Sequence, residues 1–157
     1  MLRDKNLIPL SRQHQHALAL CVRIHRAQPI GKSETEVWQL EIEKQFEQEM
    51  KNHFSAEESV LFPTARHFSE LVPLVDDLIA DHFSLRKLFS QAERRLMSSE
   101  TLPEFAQQLS AHIRKEERQL FERMQKLMTT AELDMLGTKM EAALKDAAQS
   151  CVLKPKL

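Results

Sequence analysis

A ten-residue pattern occurs twice in this chain and limits what it can fold into. Residues 53–62 read His-Phe-Ser-Ala-Glu-Glu-Ser-Val-Leu-Phe and residues 112–121 read His-Ile-Arg-Lys-Glu-Glu-Arg-Gln-Leu-Phe, so both fit H-x-x-x-E-E-x-x-L-F. On an α-helix, residues four apart share a face and lie about 6 Å apart along the axis. His53 therefore points with Glu57, and His112 with Glu116. Phe46 and Met50 precede the first pair on that face and Val60 with Leu61 follow it; Phe105 and Leu109 precede the second pair, and Gln119 with Leu120 follow. An imidazole and a carboxylate thus sit inside each stripe that should face a core. Burying them costs several kcal/mol apiece unless they are paired or bound to a metal.

The bulk properties frame this reading. The chain has 157 residues, 42% hydrophobic and 29% charged, enough for one globular domain, residues 1–157, with a real core. The net charge of −1 provides no overall basic field for nucleic acid or anionic membrane, so neither is expected as a partner. No apolar run reaches the roughly 20 residues of a membrane span and no signal peptide is evident, so a cytoplasmic location is expected. Cys21 and Cys151 stand far apart, as free thiols in a reducing compartment would. With only two glycines, the composition is helical.

Apolar spacing predicts an all-α fold: an antiparallel up-down-up-down four-helix bundle over about residues 7–128, with an additional C-terminal helix over about 130–148. After an extended Asn6–Pro9, the first helix spans about Leu10 to Ala27, with Leu10, His14, Ala17, Leu18, Cys21 and His25 as its inner stripe. Ser33 with Glu36 is a candidate capping box for the second helix, which carries His53 and Glu57 until Pro63 closes it. The third runs from near Leu71 to about Met97 and carries His82. Thr101 with Glu104 is a second candidate box, opening the fourth helix, which carries His112 and Glu116. Thr130 is the expected cap of the fifth, whose outer packing or self-association would make a homo-oligomer possible. Gly137 is an anomaly within it, and a basic tail follows at Lys154 and Lys156.

A helix with one His followed by a helix with the motif, repeated, is the mark of a duplicated helical hairpin. Its polar residues would meet on an approximate twofold axis. The expected metal-ligating set is His14, His53, Glu57, His82, His112 and Glu116. Two bridging carboxylates and two imidazoles per metal leave open positions on each of two ions, and this mixed nitrogen and oxygen set suits iron ahead of manganese or zinc. Ferritin-like di-iron bundles use Glu-x-x-His instead, an order found at none of the histidines here.

With Ser11-Arg12-Gln13-His14, the two motifs and Asp81-His82 in place, the chain resembles the hemerythrin-like proteins with a His-His-Glu cation-binding domain, over about residues 7–128. The resemblance implies an oxo- or hydroxo-bridged di-iron centre that binds or senses dioxygen, nitric oxide or peroxide, or handles iron. Oxygen-carrying hemerythrins have a His pair four apart on the third helix, whereas here Leu78 and Arg86 flank His82 at that spacing. That departure weighs against reversible oxygen carriage and towards a reactive or sensing centre, including iron handling or nitrosative and oxidative stress repair at damaged iron-sulfur centres. Whether the protein is an enzyme is left open.

Plainer readings stand beside these. The His/Glu pairs could be solvated i, i+4 pairs worth about 0.2–0.5 kcal/mol each, and the chain a metal-free helical interaction module. His14 competes with His16 for the first-helix role and is favoured because it shares a stripe with Leu18 and Cys21. Glu58 and Glu117 turn away from the seam and are expected in salt bridges or contacts behind the ligands. Glu49 is expected in solvent, Cys21 in the core, and His25 and His67 away from any metal.

Overall fold

The computed structural model describes residues 1–152, with side chains through residue 146; the side chain of Cys151 and the tail carrying Lys154 and Lys156 lie outside the described residues. Five helices account for the structure: α1 (Ile8–Arg26), α2 (35–65), α3 (Val72–Glu93), α4 (101–127) and α5 (Thr130–Val152). No strand occurs among the described residues. The first four form the expected up-down-up-down bundle, in which α1 packs along α4 and α2 along α3.

The interior is two apolar clusters with a polar layer between them. One cluster gathers Ile24, Ile42, Leu88, Phe89, Leu102 and Phe105, with other residues from the same four helices. The second holds Leu10, Leu61, Val75, Leu78, Leu120 and Phe121, roofed by Leu133, Leu136 and Met140 of α5. Along each bundle helix the chain passes from one cluster to the other, and at the crossing stand His14, His53 with Glu57, His82, and His112 with Glu116, all buried. Burial at about 25 cal/mol per Å² of apolar area on both sides is what keeps this layer in place.

Three π turns interrupt the α register, at Phe46–Met50 and Glu57–Leu61 in α2 and at Glu116–Phe121 in α4. The N–H of Phe62 reaches the carbonyl of Glu57, five residues back. Each such turn inserts one residue into the helix and moves the inner face on by one position. Consequently Leu61 with Phe62, and Leu120 with Phe121, fill the core, while Val60 is only partly buried and Gln119 is exposed, contrary to the simple seven-residue extrapolation. Pro63 does not close α2. It follows the π turn, where the i→i+4 ladder is already displaced, and the helix continues to Ala65.

Several local signals resolve differently from their sequence reading. Helix α1 starts at Ile8, with Pro9 in its first turn, and its stripe runs through Leu20 and Ile24, leaving His25 exposed. Neither Ser33–Glu36 nor Thr101–Glu104 forms a capping box, since α2 is entered through a 3-10 turn at Lys32–Glu34 and the Thr101 N–H donates to Ser98 Oγ at 3.3 Å. The reciprocal box lies one residue before Thr130: the Thr129 N–H donates to Glu132 at 2.8 Å and the Glu132 N–H to Thr129 Oγ1 at 3.2 Å. Helix α3 stops at Glu93, short of Met97, because Arg95 adopts φ 58° and the Leu96 N–H closes onto the Gln91 carbonyl at 2.8 Å. No glycine marks this stop; the Arg95 guanidinium instead holds the Ala92 carbonyl and Glu43, both at 2.7 Å.

Helix α5 uses its apolar face within the chain, against the second half of α2, residues 51–61. Gly137 is explained by the N-terminal segment: a methyl there would run into the Asn6 side chain, which donates to Asp4 and Asp134 at 2.9 Å. A helical glycine normally gains about 1 kcal/mol on replacement by alanine. Gly137→Ala is expected to do the reverse, lowering stability by about 1–3 kcal/mol through overpacking. The midpoint of urea unfolding checks the sign.

Candidate metal centre

The six side chains singled out in the sequence converge on one point of the polar layer. His14 comes from α1, His53 and Glu57 from α2, His82 from α3, and His112 and Glu116 from α4. The levels of His14 and His53 agree, with 3.0 Å between their Nε2 atoms, even though His53 lies farther from the connecting turn than His14 does. The start of α2 overhangs the end of α1, and buried Gln39 there accepts the Met97 N–H at 2.7 Å across the bundle. His16 is outside, its side chain 64% exposed and paired with Glu49 at 3.1 Å. His25 and His67 are exposed as well.

Two groups of four potential donors form, and they share both carboxylates. His14, His53, Glu57 and Glu116 make one, and Glu57, His82, His112 and Glu116 the other, with the donor atoms of each group within 4.8 Å of one another. Glu57 Oε1 lies 2.7 Å from His53 Nε2 and 3.7 Å from His14 Nε2, while its Oε2 lies 3.1 Å from His82 Nε2. Glu116 divides itself likewise, Oε2 standing 3.0 Å from His14 Nε2 and Oε1 3.4 Å from His112 Nε2. Each carboxylate thus gives one oxygen to each group.

Every imidazole presents Nε2 inward and is held from behind through Nδ1. His14 faces Glu117 at 2.7 Å, His53 faces Gln13 at 2.6 Å, His82 faces Glu58 at 2.7 Å and His112 faces Asp81 at 3.1 Å. Carboxylate and amide oxygens only accept, so each Nδ1 carries the proton and donates, leaving the Nε2 lone pair aimed at the interior. The pattern obeys the pseudo-twofold. The second Glu of each motif supports a His of the other hairpin, and the residue before His14 or His82 supports the motif His of its own hairpin. Rings fix the planes further: Phe54 stacks on His82 at 4.0 Å and Phe121 on His14 at 5.7 Å.

The electrostatics favour a cation at this place. Glu57 and Glu116 are 0% exposed and, while each Nδ1 keeps its proton and each Nε2 its lone pair, none of their four oxygens receives a hydrogen bond. Lone pairs of His14 and His53 facing one another at 3.0 Å likewise need a proton or a metal between them. Without metal, protons serve: burial disfavours a charged His82, yet the Glu57 and Glu58 carboxylates outweigh it and push its pKa up to about 9. His14 is likewise raised well above its ordinary value, burial being overcome by Glu116, Glu117 and Glu57. Burial would raise Glu57, but His53, His14 and His82 hold it well below the usual carboxylate range. Buried imidazoles and carboxylates with orphaned oxygens are a donor set that fits divalent or trivalent metal.

Fold and site together define a helical-bundle protein with a buried His/Glu cation centre. The family model described as the hemerythrin HHE cation-binding domain matches residues 9–124, and the chain belongs to that family. Among curated proteins and among solved structures, nothing matches the chain. The family and the buried clusters fit a metal-binding hemerythrin-like protein. No helix is long and apolar enough to cross a membrane among the described residues.

Gln13 and Asp81 entered the sequence reading only as part of the family resemblance, with no role given to either; the structure places them behind His53 and His112. Both directly precede a His on α1 or α3, and a residue one position back points about 100° around the helix, towards the neighbouring rod. Arg3 was missed, and Ser11 was quoted without a role; they hold Glu117 at 2.7 and 2.6 Å. Glu58 and Glu117 do stand behind the imidazoles, as expected from their turn away from the seam.

Proposed function

We propose that His14, His53, Glu57, His82, His112 and Glu116 hold two iron ions, oxo- or hydroxo-bridged, and that the centre binds or senses dioxygen, nitric oxide or peroxide. Manganese and zinc are second choices. When bound, the metal pair supplies open coordination positions for a small ligand. The protein's part is to present four neutral imidazoles through Nε2, to bridge with two carboxylates, and to keep bulk water out with the apolar clusters above and below. The observation that carries this reading is the sharing of both Glu57 and Glu116 between the two groups.

A second reading, iron handling or repair at damaged iron-sulfur centres, is favoured by one feature. Neither position four residues from His82 offers a fifth imidazole, since Leu78 lies buried in the apolar cluster and Arg86 pairs with Glu58 at 2.6 Å, so that each group of donors has two imidazoles only. A reducing cytoplasmic setting belongs to the same proposal, in agreement with the buried free thiol of Cys21. The test is anaerobic ferrous loading followed by oxidation, with metal analysis and an absorption spectrum. About two irons per chain and oxo-bridged ferric bands are expected; stoichiometric zinc without ferrous uptake would overturn the proposal. Stopped-flow mixing of the reduced form with nitric oxide or peroxide separates the two readings, turnover favouring the second.

A further inference from the structure

The pseudo-twofold is broken at one chemically important place. Behind His53 stands the neutral amide of Gln13, whereas behind the equivalent His112 stands the carboxylate of Asp81. The other two supports match, Glu117 behind His14 and Glu58 behind His82. Counter-charges do not cancel the difference. Arg3 offsets Glu117 and Arg86 offsets Glu58, so those supports balance. Lys115 sits 2.8 Å from Asp81 but shares its charge with Asp77 at 2.6 Å. Counting Asp77, the acidic groups around His82 and His112 outnumber the basic ones by one, whereas those around His14 and His53 balance, and only Asp81 of this difference touches an imidazole.

We propose that the two metal positions are unequal, and that the His82/His112 position takes its divalent cation first and more tightly because Asp81 stands where its counterpart has Gln13. A carboxylate accepting the Nδ1 proton makes an imidazole a stronger donor at Nε2 and also fixes its ring, while an amide carbonyl does so less. Outer contacts of this kind change metal affinity by about 10–100-fold. Asp81 is thus a positioning residue acting through His112. The inference rests on the two-metal reading above and goes beyond it, since that reading is indifferent to which position fills first.

Zinc, being diamagnetic, is the probe. The full chain, labelled with ¹⁵N histidine, is titrated with Zn²⁺ and the imidazole nitrogens followed by NMR. At one equivalent the Nε2 signals of His82 and His112 are expected to shift, and those of His14 and His53 only with the second. Asp81→Asn should erase the order by weakening the first step about 10-fold or more. Gln13→Glu should erase it from the other side, by tightening the second step, and is the informative variant if Asp81→Asn folds poorly. The double variant should reverse the order, a result that mere loss of structure would not give. All four imidazoles shifting together in the wild type, His14 and His53 shifting first, or an order unchanged in both single variants would overturn the inference while leaving two-metal binding intact. No zinc uptake at all would overturn the inference, while the two-iron reading stands or falls on the ferrous loading described above.

Discussion

Stripping the metal from the loaded protein is expected to lower its melting temperature by about 10 °C. A cation held at about 1,000 times its dissociation constant stabilises the folded state by about 4 kcal/mol. For a chain of this length each kcal/mol moves the midpoint by about 2–4 °C. The sensitivity has a structural source: four carboxylate oxygens are buried without hydrogen bonds, and without metal only protons on groups such as His14 and His82 offset them. Scanning calorimetry of the loaded protein, of the chelated protein, and after iron is restored checks the value and its reversibility. An unchanged midpoint after chelation would support the metal-free interaction module instead.

Glu57→Gln is expected to impair both metal positions at once, whereas His53→Ala impairs one. The substitution keeps the shape of the side chain but replaces one oxygen with an amide NH2 that cannot ligate, and removes the charge from the other. Since Glu57 Oε1 lies in the His14/His53 group and Oε2 against His82, both groups lose. The loss in affinity should exceed the ~10–100-fold typical of a contact behind a ligand. Metal analysis after anaerobic loading should give about two equivalents for wild type, below about one for Glu57→Gln and about one for His53→Ala. His16→Ala, on the exposed residue that pairs with Glu49, should keep the wild-type value. A Glu57→Gln protein that lost a single equivalent would show that the carboxylate does not bridge.

Much of the bundle was legible because helical periodicity is a local property. The spacing of Leu10, His14 and Ala17, or of Leu78, His82 and Leu85, is read without knowing what they touch, and it placed these residues on inward faces correctly. Helix ends were less legible. A cap depends on a single hydrogen bond, and Thr129, which makes the box with Glu132, stands directly beside Thr130, the cap expected from the sequence. The stop of α3 at Arg95 had no glycine to announce it, since the left-handed residue there is held by its own guanidinium contacts.

By itself, the sequence determined that two His/Glu half-sites must share one interior, because a repeated polar pair within an apolar stripe has few other stable solutions. It also named the six inner side chains. Tertiary packing alone decided how they are used: that each carboxylate splits its oxygens between the two groups, that Nε2 faces in and Nδ1 out, and that Gln13 and Asp81 stand behind His53 and His112. Those outcomes depend on the relative height and rotation of neighbouring rods, including the extra residue in each π turn, and no spacing within one helix encodes the register between two.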